Sequence, residues 1–324
     1  MDGLEDLLAC PSCEGDLSSE WRCVACGTQF DAPDGLPNLR LPSDASTETV
    51  RQFYEHEPFP GYPPRDSLNA LRMRAERSAF ARLVDRAIPL EARIVEVGCG
   101  TGQMSLYLAR GERVVIGADL TRAALSLGAA AARRFGLARV QFVETDLQRP
   151  GLKKGAFDVV YSSGVVHHTA DPRSSFAQLV RLVRPGGVVV LGVYNAWARL
   201  PNRARRAIAR LTDYKFIPFD PVLRERTAEP ARWRAWLRDQ YQHPEEHRHS
   251  IAEVQRWFAE NNVEFLRTYP NATFEDEPDD LFTAASDNWT PENWLAQLGW
   301  MRTLGHEGGL FFTIGRANEL RSSR

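Results

Sequence analysis

The stretch Arg93-Ile94-Val95-Glu96-Val97-Gly98-Cys99-Gly100-Thr101-Gly102 constrains the fold more than any other part of the chain. Five mostly apolar residues run straight into a turn in which glycine alternates with a small or polar residue. A strand ending this way lets backbone approach a ligand at the carboxyl edge of a sheet, where open α/β sheets bind cofactors. The next hundred residues alternate short apolar runs with helical periodicity, which predicts a parallel sheet covered by helices. Strands are expected at Arg93–Val97, Arg113–Ala118, Val140–Glu144, Asp158–Ser162 and Val188–Val193, the last following the helix stop Arg184-Pro185-Gly186-Gly187. Val263–Tyr269 and Leu310–Gly315 are expected to close the sheet, with a capped helix from Ser250 and Glu253 ahead of them.

The glycine turn does not suit a dinucleotide. That fingerprint is G-x-G-x-x-G, whereas here the spacing is G-x-G-x-G and Gln103 stands third after Gly100. Further along, Ile116-Gly117-Ala118-Asp119-Leu120 ends the second strand in an acid, and Glu144-Thr145-Asp146-Leu147 ends the third in another. Phe157-Asp158-Val159-Val160-Tyr161-Ser162-Ser163-Gly164-Val165-Val166-His167-His168 follows, then Leu182-Val183-Arg184-Pro185-Gly186-Gly187. In order and spacing these elements resemble the class I S-adenosylmethionine-dependent methyltransferases. Glu96–Gly102 matches their motif I, and the loop after strand four is similar to the type-11 small-molecule group.

The resemblance implies an α/β, Rossmann-like fold, with a seven-stranded, mostly parallel sheet and helices on both faces. It implies S-adenosyl-L-methionine as cofactor. Contacts are expected from Glu96, Gly98, Cys99, Gly100, Thr101, Gly102, Gln103, Asp119, Leu120, Asp146, Leu147, Ser162 and Ser163. Asp119 would accept from two ribose hydroxyls, and Asp146 would face the adenine amino group. Glu96 is expected to organise the turn and the methionine end through water, and Cys99 to be a small buried filler.

Four of the five cysteines fall in the first 26 residues, as Cys10-Pro11-Ser12-Cys13 and Cys23-Val24-Ala25-Cys26. Two C-x-x-C pairs can complete a closed tetrahedral Cys₄ shell, so a structural Zn2+ is expected. The alternative is a degenerate ribbon that no longer holds metal. Residues 4–41 resemble the small zinc-ribbon proteins that partner methyltransferases, down to Gly27-Thr28-Gln29-Phe30 and Gly35-Leu36-Pro37. Loss of Cys23 is expected to unfold the first forty residues and leave a cofactor domain with its own core folded.

The expected organisation is a zinc-ribbon-like module at 1–42, and a linker and helical lead-in at 43–90 with one helix over Asn69–Ala87. The cofactor core spans 91–195, a helical lid 196–250, and a closing segment 251–324. Tyr54, Phe59 and Tyr62 are similar to an aromatic lead-in that closes over cofactor, or else simply pack. His167 and His168 stand at the binding edge after strand four, where histidine suits a general base near neutral pH. His243, His247 and His249 lack metal-site spacing and are expected to be solvated or capping. Arg199, Arg203, Arg205, Arg206 and Arg210 on one helix either grip a carboxylate or phosphate or form a solvated face. Trp289, Trp294 and Trp300 are expected as core or lid anchors.

A formal charge of −2 sets no field that draws the whole molecule to nucleic acid. No apolar run approaches the ~18 residues of a membrane span, and the start lacks a signal-peptide pattern, so a cytoplasmic location is expected. The favoured function is methyl transfer to O or N of a small metabolite, anionic in one version. His167 or His168 assists, with 196–250 and 271–308 enclosing the acceptor. Two alternatives stay open: an RNA methyltransferase gripping rRNA or tRNA through the ribbon and the Arg-rich helix, and a non-catalytic binding scaffold.

Overall fold

A computed structural model describes residues 4–55, 58, 60–63, 65–220, 223, 230–243, 245–272, 279–285, 291–304 and 308–319. Phe59, Trp289 and parts of the 271–308 segment lie outside the described residues.

The sheet has seven strands: β1 Arg93–Val97, β2 Val114–Asp119, β3 Val140–Glu144, β4 Phe157–Ser163, β5 Val183–Tyr194, β6 Val263–Tyr269 and β7 Leu310–Ala317. Their order is β3-β2-β1-β4-β5-β7-β6. The first five pair in parallel, and β7 runs antiparallel between β5 and β6. This is the Rossmann-like class I arrangement expected from the motifs. The order reverses between β1 and β4, and at such a switch point the carboxyl ends of adjacent strands part to leave a crevice.

Alternate side chains of each strand feed two cores. Val95 and Val97 face α6 (Pro172–Leu182) and α9 (Ile251–Glu260), which contribute Phe176, Leu179, Trp257 and Phe258. Ile94 faces the other way, toward α3 (Ala79–Ala87), α4 (Gln103–Leu108) and α5 (Arg122–Phe135), which contribute Phe80, Val84, Leu106 and Leu125.

Two helical expectations are corrected by local capping. The helix expected over Asn69–Ala87 is split into α2 (Leu68–Ala75) and α3. Ser78 turns its hydroxyl to the Ala81 N–H and caps a new helix, as Ser67 does for α2. The supposed linker after residue 43 contains α1 (Ala45–Glu55). Asp44 accepts from the Thr47 N–H at 2.8 Å, and Glu48 pairs with Arg51 at 2.6 Å along the helix. Strand five begins earlier than expected, because Val183 already pairs with Phe157 across a bulge before the Gly186 turn.

The cysteine module is not a separately cored domain. Leu7, Leu8, Cys10, Cys23, Phe30 and Leu39 belong to the same buried cluster as Val143, Leu152, Phe176 and Leu179. Leu8 bridges Leu152, and Asn38 pairs in parallel with Glu144, extending the sheet at its β3 edge. An open strand edge offers unpaired backbone groups, and the module pairs with this one at its carboxyl end, through both backbone groups of Glu144. The shared cluster favours joint unfolding of module and sheet over the expected survival of the cofactor domain alone.

The 196–250 segment is helical among its described residues: α7 (Leu200–Leu211), α8 (Pro230–Leu237) and a π-turn at Arg238–Gln242. It has a small core of Ala209, Leu223, Leu237 and Tyr241. Among the described residues no helix is long and apolar enough to cross a membrane.

The arginines of α7 divide. Arg199 is 1% exposed and meets Glu246 at 2.6 Å, with Arg206 on the same carboxylate at 3.1 Å. Arg199 also lies 3.9 Å over the Tyr194 ring, while Arg203 and Arg210 are exposed. Glu246→Gln, which keeps an acceptor but removes the charge, is expected to cost about 1.5–3 kcal/mol in denaturant unfolding. An unchanged midpoint would show that the buried pair contributes nothing.

Candidate functional site

At the switch point a cavity of about 300 Å³ opens over the carboxyl ends of β1, β2, β3 and β4. Of the residues expected at the cofactor, Gly98, Gly100, Asp119, Leu120, Asp146, Leu147 and Ser163 line it. Gly98 has φ +76, and a Cβ there would collide with the Val165 side chain, so only glycine suits the turn. Gly102, also at positive φ, lies against the Phe142 ring with no room for a Cβ. Gly100 faces open space, so its backbone is free to meet a ligand.

Asp119 is half-buried at the cavity wall, and desolvation there raises its carboxyl above the usual range against the opposing donors. The Gly100 N–H donates to it at 2.7 Å, the Thr121 N–H at 2.9 Å and the Thr121 hydroxyl at 2.6 Å. A carboxylate offers about four lone-pair directions, so accepting two further hydroxyls requires one of these donors to move. Asp146 accepts from the Ser43 hydroxyl at 2.7 Å and the Gln148 N–H at 2.9 Å.

The other expected residues sit behind the lining. Glu96 is bonded by the Ser105 hydroxyl of α4, and burial pushes its carboxyl up to about 7. It ties the turn to the helix that follows. Cys99 is buried, 8% exposed, against the β2 backbone, and burial raises its thiol well above the ordinary value. Thr101, Gln103 and Ser162 are not part of the lining. The Tyr62 hydroxyl donates to the Thr101 carbonyl at 2.7 Å, so this aromatic pins the turn from behind.

The sequence did not single out α1 as a wall. Ser46, Thr47, Val50, Arg51 and Tyr54 line the cavity from it. Among the described residues neither 196–250 nor 271–308 lines the cavity; the described part of 196–250 packs on its wall instead, where Glu245 meets Ser46 and His168 and where Arg238 meets Phe53. The Asp44 cap and the spacing of Glu48, Arg51 and Glu55 were the available signal.

The two adjacent histidines part company. His168 lines the cavity, and its Nδ1 lies 2.7 Å from the Glu245 carbonyl. A carbonyl can only accept, so Nδ1 donates; when the ring is neutral, Nε2 is its acceptor nitrogen. His167 is fully buried away from the lining, with its ring 3.9 Å from Tyr194. Burial, then the neighbouring His168 and Arg199, holds it neutral far below the usual histidine range.

The solvated role expected for the later histidines is corrected. His243 is buried and stacks on His168 at 3.7 Å, and His249 is buried with Nδ1 3.0 Å from Glu253. The loop carrying them returns across β5 (the His249 N–H meets the Tyr194 carbonyl at 2.8 Å), which pulls both rings inside. Only His247 stays partly open. Trp300 is buried as expected, whereas Trp294 is 56% exposed.

Ahead of α1 in sequence, the sulfurs of Cys10, Cys13, Cys23 and Cys26 all lie within 4.8 Å of one another. Cys10 and Cys26 are 3.7 Å apart, and Cys13 and Cys23 are 3.4 Å apart. A regular zinc tetrathiolate with bonds of about 2.3 Å has edges of about 3.8 Å, so the four residues fit that ion.

Residues 95–191 match the family model described as a methyltransferase domain, Methyltransf_11. An uncharacterised protein of Synechococcus sp. is 29% identical over 250 residues, covering 69% of this chain and 60% of that protein. A ubiquinone biosynthesis O-methyltransferase of Ruegeria sp. is 30% identical over 139 residues, covering 41% of this chain and 56% of that enzyme. The chain thus spans between half and two thirds of the length of these curated relatives. Among solved structures, geranyl diphosphate C-methyltransferase from Streptomyces coelicolor A3(2) superposes with TM-score 0.49 at 17% identity, over 86% of this chain and 100% of that one. Strand order, motif sequence and the matched domain model agree: residues 95–191 form a methyltransferase domain of the class I S-adenosylmethionine-dependent type.

Proposed function

We propose that the chain transfers a methyl group from S-adenosylmethionine to an oxygen or nitrogen of a small metabolite. The single observation behind this reading is the strand-end cavity, which brings Asp119, Asp146 and His168 to one space. When bound, the sulfonium cofactor supplies an already activated methyl group, so the protein mainly has to align an acceptor. Gly98 and Gly100 give backbone close to the ligand, and Asp119 and Asp146 orient the ribose and adenine ends. His168, held by the Glu245 carbonyl, takes the acceptor's proton at Nε2. Tyr54 and α1 cover the mouth and exclude water. An oxygen acceptor is supported by the Ruegeria relative, an O-methyltransferase by name.

Calorimetry checks the cofactor half. Asp119→Ala is expected to weaken S-adenosylmethionine binding by about 1.5–3 kcal/mol, the range for hydrogen bonds to a charged group. Equal affinity in the variant removes Asp119 from the site. Preference of the wild type for NAD removes the reading itself.

The same reading gives Cys10, Cys13, Cys23 and Cys26 one structural zinc, since a shell closed by four thiolates leaves no position for chemistry. Its contribution is to folding. Elemental analysis of protein prepared without chelator is expected to show one zinc per chain.

A further inference from the structure

The outer face of α7 and the turn after it is apolar and uncovered. On the helix, Leu200, Ile208 and Leu211 are 36%, 38% and 87% exposed, with Ala204 and Ala207 between them also exposed. At 100° per residue these positions share one side, opposite the buried Asn202 and Ala209. The helix is therefore anchored by its small inner residues and presents its large apolar ones outward.

The turn continues the face. Tyr214 and Ile217 pack inward on the small lid core, while Phe216 and Phe219 stand 59% and 81% exposed. This is a fixed protrusion. The Thr212 hydroxyl bonds both the N–H and the carbonyl of Phe216, and Asp220 takes the Leu223 N–H and the Tyr241 hydroxyl. At the other end Trp197, one turn before Leu200, meets the exposed Trp294 edge-on at 5.4 Å.

The charge around the face is one-sided. From Leu200 to Phe219 the chain carries Arg203, Arg205, Arg206, Arg210 and Lys215 against a single acid, Asp213, in a molecule whose net charge is −2. Arg206 is engaged by Glu246, but Arg203, Arg210 and Lys215 are exposed beside the apolar stripe. A basic collar around an outward apolar stripe, with tryptophan and phenylalanine at its ends, matches the layered chemistry of a lipid surface: phosphates outside, acyl chains beneath. A second copy of the chain would bring the two positive collars together, which opposes association through this face.

We propose that α7 and the Phe216–Phe219 turn dock the protein on the surface of anionic lipid bilayers. The apolar side chains enter the boundary between headgroups and acyl chains, and Arg203, Arg210 and Lys215 pair with lipid phosphates. The helix springs from the end of β5, and Arg206 on its inner side donates to the His243 carbonyl, so the side opposite the docked face adjoins the histidines behind the cavity. This surface goes beyond the methyl-transfer reading, and its test needs no acceptor.

The full chain is sedimented with vesicles of phosphatidylcholine alone and of phosphatidylcholine with phosphatidylglycerol. Wild type is expected to pellet with the anionic vesicles only, and to be released by salt. Leu211→Glu with Phe219→Glu should lower partitioning on the order of 100-fold, given the apolar area of two large side chains. Arg203→Gln with Arg210→Gln should lower it roughly 30-fold, from about 1 kcal/mol per charge near such a surface. All four positions are exposed, so unchanged thermal unfolding is expected and separates loss of docking from loss of fold. Wild type left in the supernatant with both vesicles overturns the proposal, as does pelleting that the four substitutions leave unchanged. A concentration-dependent dimer abolished by Leu211→Glu, without vesicle binding, assigns the face to self-association instead.

Discussion

Replacing Cys23 with serine, or stripping zinc with a chelator, is expected to lower the melting temperature of the whole chain in one transition. Metal binding contributes about 10–16 kcal/mol to the folding of isolated zinc-ribbon-type peptides. Losing even about 5 kcal/mol of that shifts the midpoint of a large domain by roughly 10 °C or more. The loss spreads because the module is stitched to the sheet. Leu7, Leu8 and Leu39 are each at most 2% exposed and share a cluster with Val143 and Leu152. Arg40 joins Arg122 on Glu144 at the end of β3, each at 3.2 Å, so unfolding the module also undoes one side of the third strand's carboxyl end. Scanning calorimetry on metal-loaded, Cys23→Ser and chelated protein decides it. Two separate transitions, with the hotter one unmoved, would falsify the shared core and restore an independent cofactor domain.

Truncating His168 to alanine is expected to lower turnover by roughly 10²–10⁴-fold with an identified acceptor, the usual contribution of a positioned general base. Affinity for S-adenosylmethionine should stay within a few-fold, because the proposed reading assigns the ribose and adenine ends to Asp119 and Asp146. The companion variant separates chemistry from packing. His167→Phe keeps a ring against Tyr194 and removes two buried nitrogens that have no hydrogen-bond partner among the described residues, so it should leave turnover within a few-fold. Steady-state rates and calorimetry on both proteins form the test. Full activity in His168→Ala assigns the rate to alignment alone. Turnover lost in His167→Phe but kept in His168→Ala reverses the assignment.

Much of this was legible in the sequence because it is local. The run Arg93–Gly102 combines a strand with glycines whose positive φ is set by the turn itself, and β1, β3 and β6 have the boundaries their alternation predicts. The two C-x-x-C pairs likewise carry their geometry in their spacing. An acid at the end of a strand lies on the binding edge whatever surrounds it, which is why Asp119 and Asp146 could be named as candidates in advance.

Tertiary structure decided what depends on partners distant in sequence. Nothing near His167 and His168 distinguishes them. The difference comes from a carbonyl at Glu245 and from the ring of Tyr194, which only the fold brings to them. The five arginines of α7 share one pattern, yet Glu246 takes Arg199 and Arg206 inward and leaves Arg203 and Arg210 outside. That the module's leucines pack on Leu152 and the β3 edge is likewise set only by the fold. Periodicity and spacing report which face of an element is apolar, because neighbours along the chain set them. What covers that face, and so whether a charged or titratable side chain is sealed or left open, is fixed only by contacts between elements.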